Sequence, residues 1–133
     1  MGSSSSKGSK AAHDFVDEMI TKHPVVVFSK TTWYVQYFFF FFFVLIYNYY
    51  SGFCTMAKKV LKSIPVIYHV VELNTKRDEP TGADIQLALE EKTGQRTVPN
   101  VFVGGASIGG GTEVRNLHQT GQLIPKLKQA NAL

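Results

Sequence analysis

A single cysteine, Cys54, in 133 residues excludes an internal disulfide framework and any zinc site built on cysteine pairs. The four histidines, His13, His23, His69 and His118, show no ligand spacing; each reads as a surface or structural residue, and no metal site is expected. Basic residues outnumber acidic ones by only 14 to 10, a net charge of +4, and nowhere cluster densely enough to mark a nucleic-acid face. The KKVLK and EEK stretches read as solvated helix faces. The first ten residues lack the apolar core of a secretory signal, so a reducing, cytoplasmic setting is expected. The length suits one domain, since two separate cores would each be too small.

What is present falls into three parts. The Gly/Ser-rich leader, residues 1–10, is expected to be a disordered tail. Met1-Gly2 with Ser6 fits the N-myristoylation pattern, supported weakly by Lys7 and Lys10. A Ser/Gly-rich leader also meets that pattern by chance, and the tail is expected to be inert. Residues 11–133 form the domain, interrupted by an atypical aromatic segment at 33–51. Of 17 aromatic residues, 12 lie between Trp33 and Tyr50.

Around that segment the apolar spacing specifies an α/β chain. Residues 11–22 place Phe15, Val16, Met19 and Ile20 on one helical face, with Asp14, Asp17 and Glu18 opposite. His23-Pro24 ends the helix, and VVVFS over 25–29 is a continuous apolar run, the mark of a buried strand. A second helix is expected over 55–63 and a strand over 67–72. A charged loop over 74–82 precedes a third helix, which Gly94 closes. Residues 100–110 read as two short strands about a Gly-Gly turn, followed by helices at about 112–119 and 123–129. Strand, crossover helix and strand make a parallel βαβ unit, and the hairpin adds two antiparallel strands. The expected fold is a small mixed four-stranded sheet flanked by helices on both faces.

VVVFSKTT (25–32), TMAKKVL (55–61), the helix with Gln86, TGQRTVPNVFVGG (93–105) and SIGGG (107–111) closely resemble the glutaredoxin family in order and spacing. The resemblance runs from about residue 12 to 130, with only the aromatic block outside it. It implies a thioredoxin fold. It also implies a glutathione-dependent thiol–disulfide oxidoreductase that reduces protein–glutathione mixed disulfides and other disulfides, a role in redox homeostasis and electron transport. In that family Cys-x-x-Cys stands directly before the equivalent of TMAKKVL. Here Cys54 fills the second, resolving place, and Ser51 stands where the nucleophilic first cysteine belongs. Exchange needs a thiolate, which a helix N-terminus and a nearby lysine favour. A serine hydroxyl with no adjacent base cannot replace it.

The same resemblance implies a glutathione site. Lys30 would aim its ammonium at the thiolate and at a glutathione carboxylate. Thr97-Val98-Pro99 would form a cis-proline loop whose Val98 backbone pairs with glutathione like a strand. Gly111, Thr112 and Glu113, opening a helix after Gly109-Gly110, would receive the γ-glutamyl carboxylate. Gln86 and Arg96 would hold the glycyl end, and Phe53 would flank the thiol groove where many relatives have tyrosine. Some relatives hold a [2Fe–2S] cluster between two monomers, using the first cysteine and glutathione; without a cluster the chain is expected to be a monomer. Its partners would be glutathione and glutathionylated or disulfide-containing proteins, with no nucleic acid.

Three readings of the aromatic block remain. A membrane span fits the 18 uncharged residues poorly: it is at the short limit and would separate the first strand from the helix that must pack on it. A plain loop insertion would be an aggregation hazard, aromatic and without charge or proline. The favoured reading is a translated retained intron. The Trp33-Tyr34-Val35 codons contain a splice-donor-like GTAYGT, six consecutive Phe codons supply a pyrimidine tract, and an AGY codon at Ser51 supplies the acceptor AG. Removing those 54 nucleotides keeps the frame, replaces residues 33–51 by one cysteine and leaves 115 residues reading Cys-Gly-Phe-Cys. Taken literally instead, the chain would be a redox-inactive glutathione-binding protein attached to a membrane.

Overall fold

The computed structural model describes residues 7–31 and 52–133. The aromatic block, Ser51, and the three readings that rest on them lie outside those residues, as does the acylation motif. Among the described residues no helix is long and apolar enough to cross a membrane.

The elements run α1 Lys10–Lys22, β1 Val25–Ser29, α2 Gly52–Lys62, β2 His69–Glu72, α3 Gly82–Thr93, β3 Asn100–Val103, β4 Ala106–Gly109, α4 Gly111–Gln119 and α5 Leu123–Gln129. The sheet order is β2-β1-β3-β4, with β1 parallel to β2 and the other pairs antiparallel. This is the expected mixed four-stranded sheet. All five residues of β1 are buried, because a central strand under helices on both sides has no wet face. Its alternation divides the core. Val25 and Val27 pack with Ala57, Leu61, Val114, Leu123 and Leu127 from α2, α4 and α5. Val26 and Phe28 pack with Ala12, Val16, Ile85 and Leu89 from α1 and α3. Phe28 meets Phe102 edge-on at 5.6 Å, a geometry that contributes about 1 kcal/mol beyond area burial.

The structure differs from the sequence expectations at three places. β2 starts at His69 rather than residue 67, and Ile67 is 91% exposed. The register sets Val26 against His69, so a longer β2 would meet Pro24, which has no N–H for the ladder. α2 begins three residues early, at Gly52, and so brings Phe53 and Cys54 into its first turn. Finally, the tail expected to be disordered is ordered at its end. Ser9 caps α1 by accepting the Ala12 N–H at 3.1 Å, and its own N–H donates to Asp84 on α3 at 3.0 Å. Gly8 donates to the carboxylate of Glu91, on the same helix.

Candidate active site

At the C-terminal end of β1 the first turns of α2 and α4 meet the loop that leads into β3. The junction is close: a Cβ added at Gly111 would stand 2.4 Å from the Phe53 carbonyl oxygen, so only glycine lets the two helix starts approach in this way. Between them opens a cleft of about 430 Å³, lined by Phe53, Gln95, Thr97, Val98, Pro99, Gly110, Gly111, Thr112 and Glu113. Seven residues singled out from the sequence are thus brought together. The Val98–Pro99 peptide bond is cis. Phe53 is 43% exposed beside the cleft.

The other sequence-derived residues lie elsewhere. Lys30 and Gln86 line a second cleft, of about 460 Å³, with Asn74, Lys76, Arg77 and Thr81. Gln86 donates from Nε2 to the backbone carbonyl of Arg96 at 2.9 Å, which anchors the loop after α3. The Arg96 guanidinium lines neither cleft; it is exposed, 3.9 Å from Glu90. Glu113 lines the first cleft, yet its carboxylate accepts the Gly110 N–H at 2.9 Å and so caps its own helix. Glu113 thus stands in the cleft to which the resemblance assigned it, with a capping partner within its own helix start.

Gln95 was not foreseen. Its Nε2 donates to the carbonyls of Thr97, at 2.9 Å, and Pro99, at 2.8 Å, and so braces the loop that forms the cleft wall. The only signal was a polar residue just past Gly94, whose φ of 77° ends α3.

Cys54 is 3% exposed. Burial, the largest influence, pushes its thiol above the ordinary value of 9.0. A backbone hydrogen bond from Lys30 and the charge of Lys58 oppose the rise, while the Glu72 carboxylate adds to it. The lowered pKa expected from a helix N-terminus and a lysine concerns the first, nucleophilic cysteine; at Cys54, in the resolving place, desolvation wins. Lys30 also acts on the sulfur mainly through its backbone rather than its ammonium. Beneath Cys54, Lys58 donates to Glu72 Oε1 at 2.7 Å, and the Ser29 hydroxyl donates to the same oxygen. Glu72 Oε2 is buried with no partner among the described residues.

The family model for glutaredoxin matches residues 25–108, nearly the whole span from β1 to β4. The chain belongs to the glutaredoxin family. A glutaredoxin from Ricinus communis is 43% identical over 116 residues, covering 87% of this chain and 93% of its own. Glutaredoxin-C2 from Arabidopsis thaliana is 40% identical over 116 residues, covering 87% and 86%. Among solved structures, a buckwheat glutaredoxin–glutathione complex matches with a TM-score of 0.74 at 36% identity, covering 93% of this chain and 94% of that one. The holo form of glutaredoxin C1 from Populus tremula x tremuloides matches at 0.72 and 38% identity, covering 91% and 99%. The sheet and its helices are therefore those of a thioredoxin fold, as the resemblance implied.

As a glutaredoxin the chain is unusual in its sulfur chemistry. A [2Fe–2S] cluster needs thiolate ligands. This glutaredoxin has one cysteine, which is buried and held as a thiol. Among the described residues no group of three or more His, Cys, Asp or Glu could hold a metal ion. The residues present do not fit a cluster.

Proposed function

We propose that this glutaredoxin, in a form in which one cysteine replaces residues 33–51, is a glutathione-dependent thiol–disulfide oxidoreductase acting on protein–glutathione mixed disulfides. The observation that carries this reading is the cleft beside Cys54, walled by Phe53, Thr97-Val98-Pro99 and the start of α4. The new thiolate would attack the glutathionyl sulfur of a mixed disulfide and release the protein as a thiolate. A second glutathione thiolate would then attack the enzyme–glutathione disulfide, yielding oxidised glutathione and the free enzyme thiolate. Cys54 would act only on disulfides formed within the motif, its buried thiol giving up a proton as it attacks. Glutathione would lie along the cleft with a carboxylate toward the α4 N-terminus, where the first helical N–H groups lack partners within the helix.

The test is the native cDNA across the codons for Thr32 to Thr55, followed by assay of both encoded chains. A product shorter by 54 nucleotides, whose 115-residue protein deglutathionylates a model peptide with glutathione, supports the reading. Full-length cDNA alone, or an inactive short chain, overturns it. For the 133-residue chain itself, the burial of its one cysteine favours a second reading, a glutathione binder without turnover. That chain should bind glutathione in the cleft, seen as shifts of the Val98 and Thr112 amide resonances, and show no exchange.

A further inference from the structure

The sheet divides the charge of this molecule. The helices over one face, α1 and α3, carry six acidic residues against three basic ones. Those over the other face, α2, α4 and α5, carry six basic residues, Lys58, Lys59, Lys62, Arg115, Lys126 and Lys128, against the single acid Glu113. Lys58 is engaged with Glu72. The other five are exposed, because the inward positions of these helices (Cys54, Ala57, Leu61, Val114, Leu123 and Leu127) are taken by the core. α4 packs against both α2 and α5, so the three helices form one layer whose exposed charges are mostly cationic. That face adjoins the cleft: Arg115 follows the cleft-lining Thr112 and Glu113 within one turn, and Lys59 lies roughly 9 Å along α2 from Phe53 at 1.5 Å per residue.

We propose that the outer face of α2, α4 and α5 is a docking surface for acidic protein segments flanking the cysteine presented to the cleft. The proposal rests on the functional reading above for the position of that cysteine. A protein partner is favoured over nucleic acid because the cations are spread over three helices. Among the described residues of these helices Phe53 is the one exposed Phe, Tyr or Trp, and it lines the cleft, which leaves no row of rings among the cations for base stacking. Charges so spaced steer and select an acidic surface more than they add contact energy, and the preference they create is screened by salt.

Two labelled short peptides test this, each with a central glutathionylated cysteine, one flanked by Asp and Glu and the other by Lys and Arg. Binding to the full 133-residue chain is read by fluorescence anisotropy. In about 10 mM salt the acidic peptide should bind at least about tenfold more tightly, and in about 1 M salt the preference should vanish. The variant K59E/K62E/R115E should reverse the preference, K59Q/K62Q/R115Q should abolish it, and E18K on the opposite layer should leave it intact. Equal binding of the two peptides, or an unchanged preference in the charge-reversed variant with a native circular dichroism spectrum, overturns the proposal. So does tighter binding of a labelled single-stranded DNA homopolymer than of the acidic peptide. Binding of glutathione alone is measured in parallel. If the 115-residue form also fails to bind it while an unglutathionylated acidic peptide still binds with the stated salt dependence, the docking surface stands and the functional reading falls.

Discussion

Gly111, the first residue of α4, stands so close to Phe53 that a Cβ on it would come within 2.4 Å of that residue's carbonyl oxygen. The contact is backbone on one side, so no side chain can swing away. Gly111→Ala should therefore part the two helix starts, costing about 1–3 kcal/mol in urea unfolding and weakening glutathione binding in the cleft. Gly52, in the same helix start as Phe53, has nothing among the described residues within 4 Å of where its Cβ would be. Gly52→Ala should be neutral or slightly stabilising in the same measurement. Equal loss in both variants would remove the packing explanation.

Glu113 separates a capping role from a binding role. As a cap, its carboxylate accepts the Gly110 N–H and places a negative charge at the α4 N-terminus. Glu113→Gln keeps an acceptor and removes the charge, so glutathione should bind about two- to fivefold more tightly by calorimetry, the range expected for one charge at a helix end. A weaker complex would instead return Glu113 to the direct ligand role that the family resemblance implies.

Much of this arrangement was legible in local pattern. Four apolar residues in a row, Val25 to Phe28, suited a strand covered on both faces, and it is an inner strand of the sheet. Thr97-Val98-Pro99 and Gly110-Gly111 were legible as cleft walls because their residue types serve a local backbone purpose. The Ser29–Glu72–Lys58 network was not. It exists because the parallel register sets Ser29 opposite Glu72, while α2 brings Lys58 over both, and no spacing within one segment encodes that meeting. The docking of Gly8 and Ser9 on α3 was missed for the same reason, being a polar contact made across the fold. Gln95 bonds only two and four residues ahead, but its contacts are polar and within a loop, whereas periodicity reports only apolar faces.

Cys54 should titrate with its surroundings in a defined direction. The pH profile of its alkylation by iodoacetamide should have a midpoint above that of a free thiol near 9.0. Glu72→Gln removes a negative charge and should lower the midpoint; Lys58→Met removes a positive one and should raise it. Because the folded thiol holds its proton more tightly than the unfolded one, its contribution to stability is present below the ordinary thiol pKa. It is lost as pH rises through the higher folded value. Cys54→Ser should flatten the fall in denaturant midpoint above pH 9.0, and an unchanged slope would assign that fall to other groups.

His23 and His69 stack at the other end of β1, ring centroids 4.1 Å apart and planes within 1°. Burial first, then the charges of His23 and Lys22, hold the His69 imidazole below its ordinary value of 6.5. The folded chain therefore binds this proton less readily than the unfolded chain. The resulting stability is present above pH 6.5 and is lost as pH falls through the lower folded value. His69→Phe keeps a flat ring in the stack and removes the titration. Urea midpoints at neutral pH and near pH 5 should differ less in the variant than in the parent chain. If both lose the same amount, the pair is a packing feature alone.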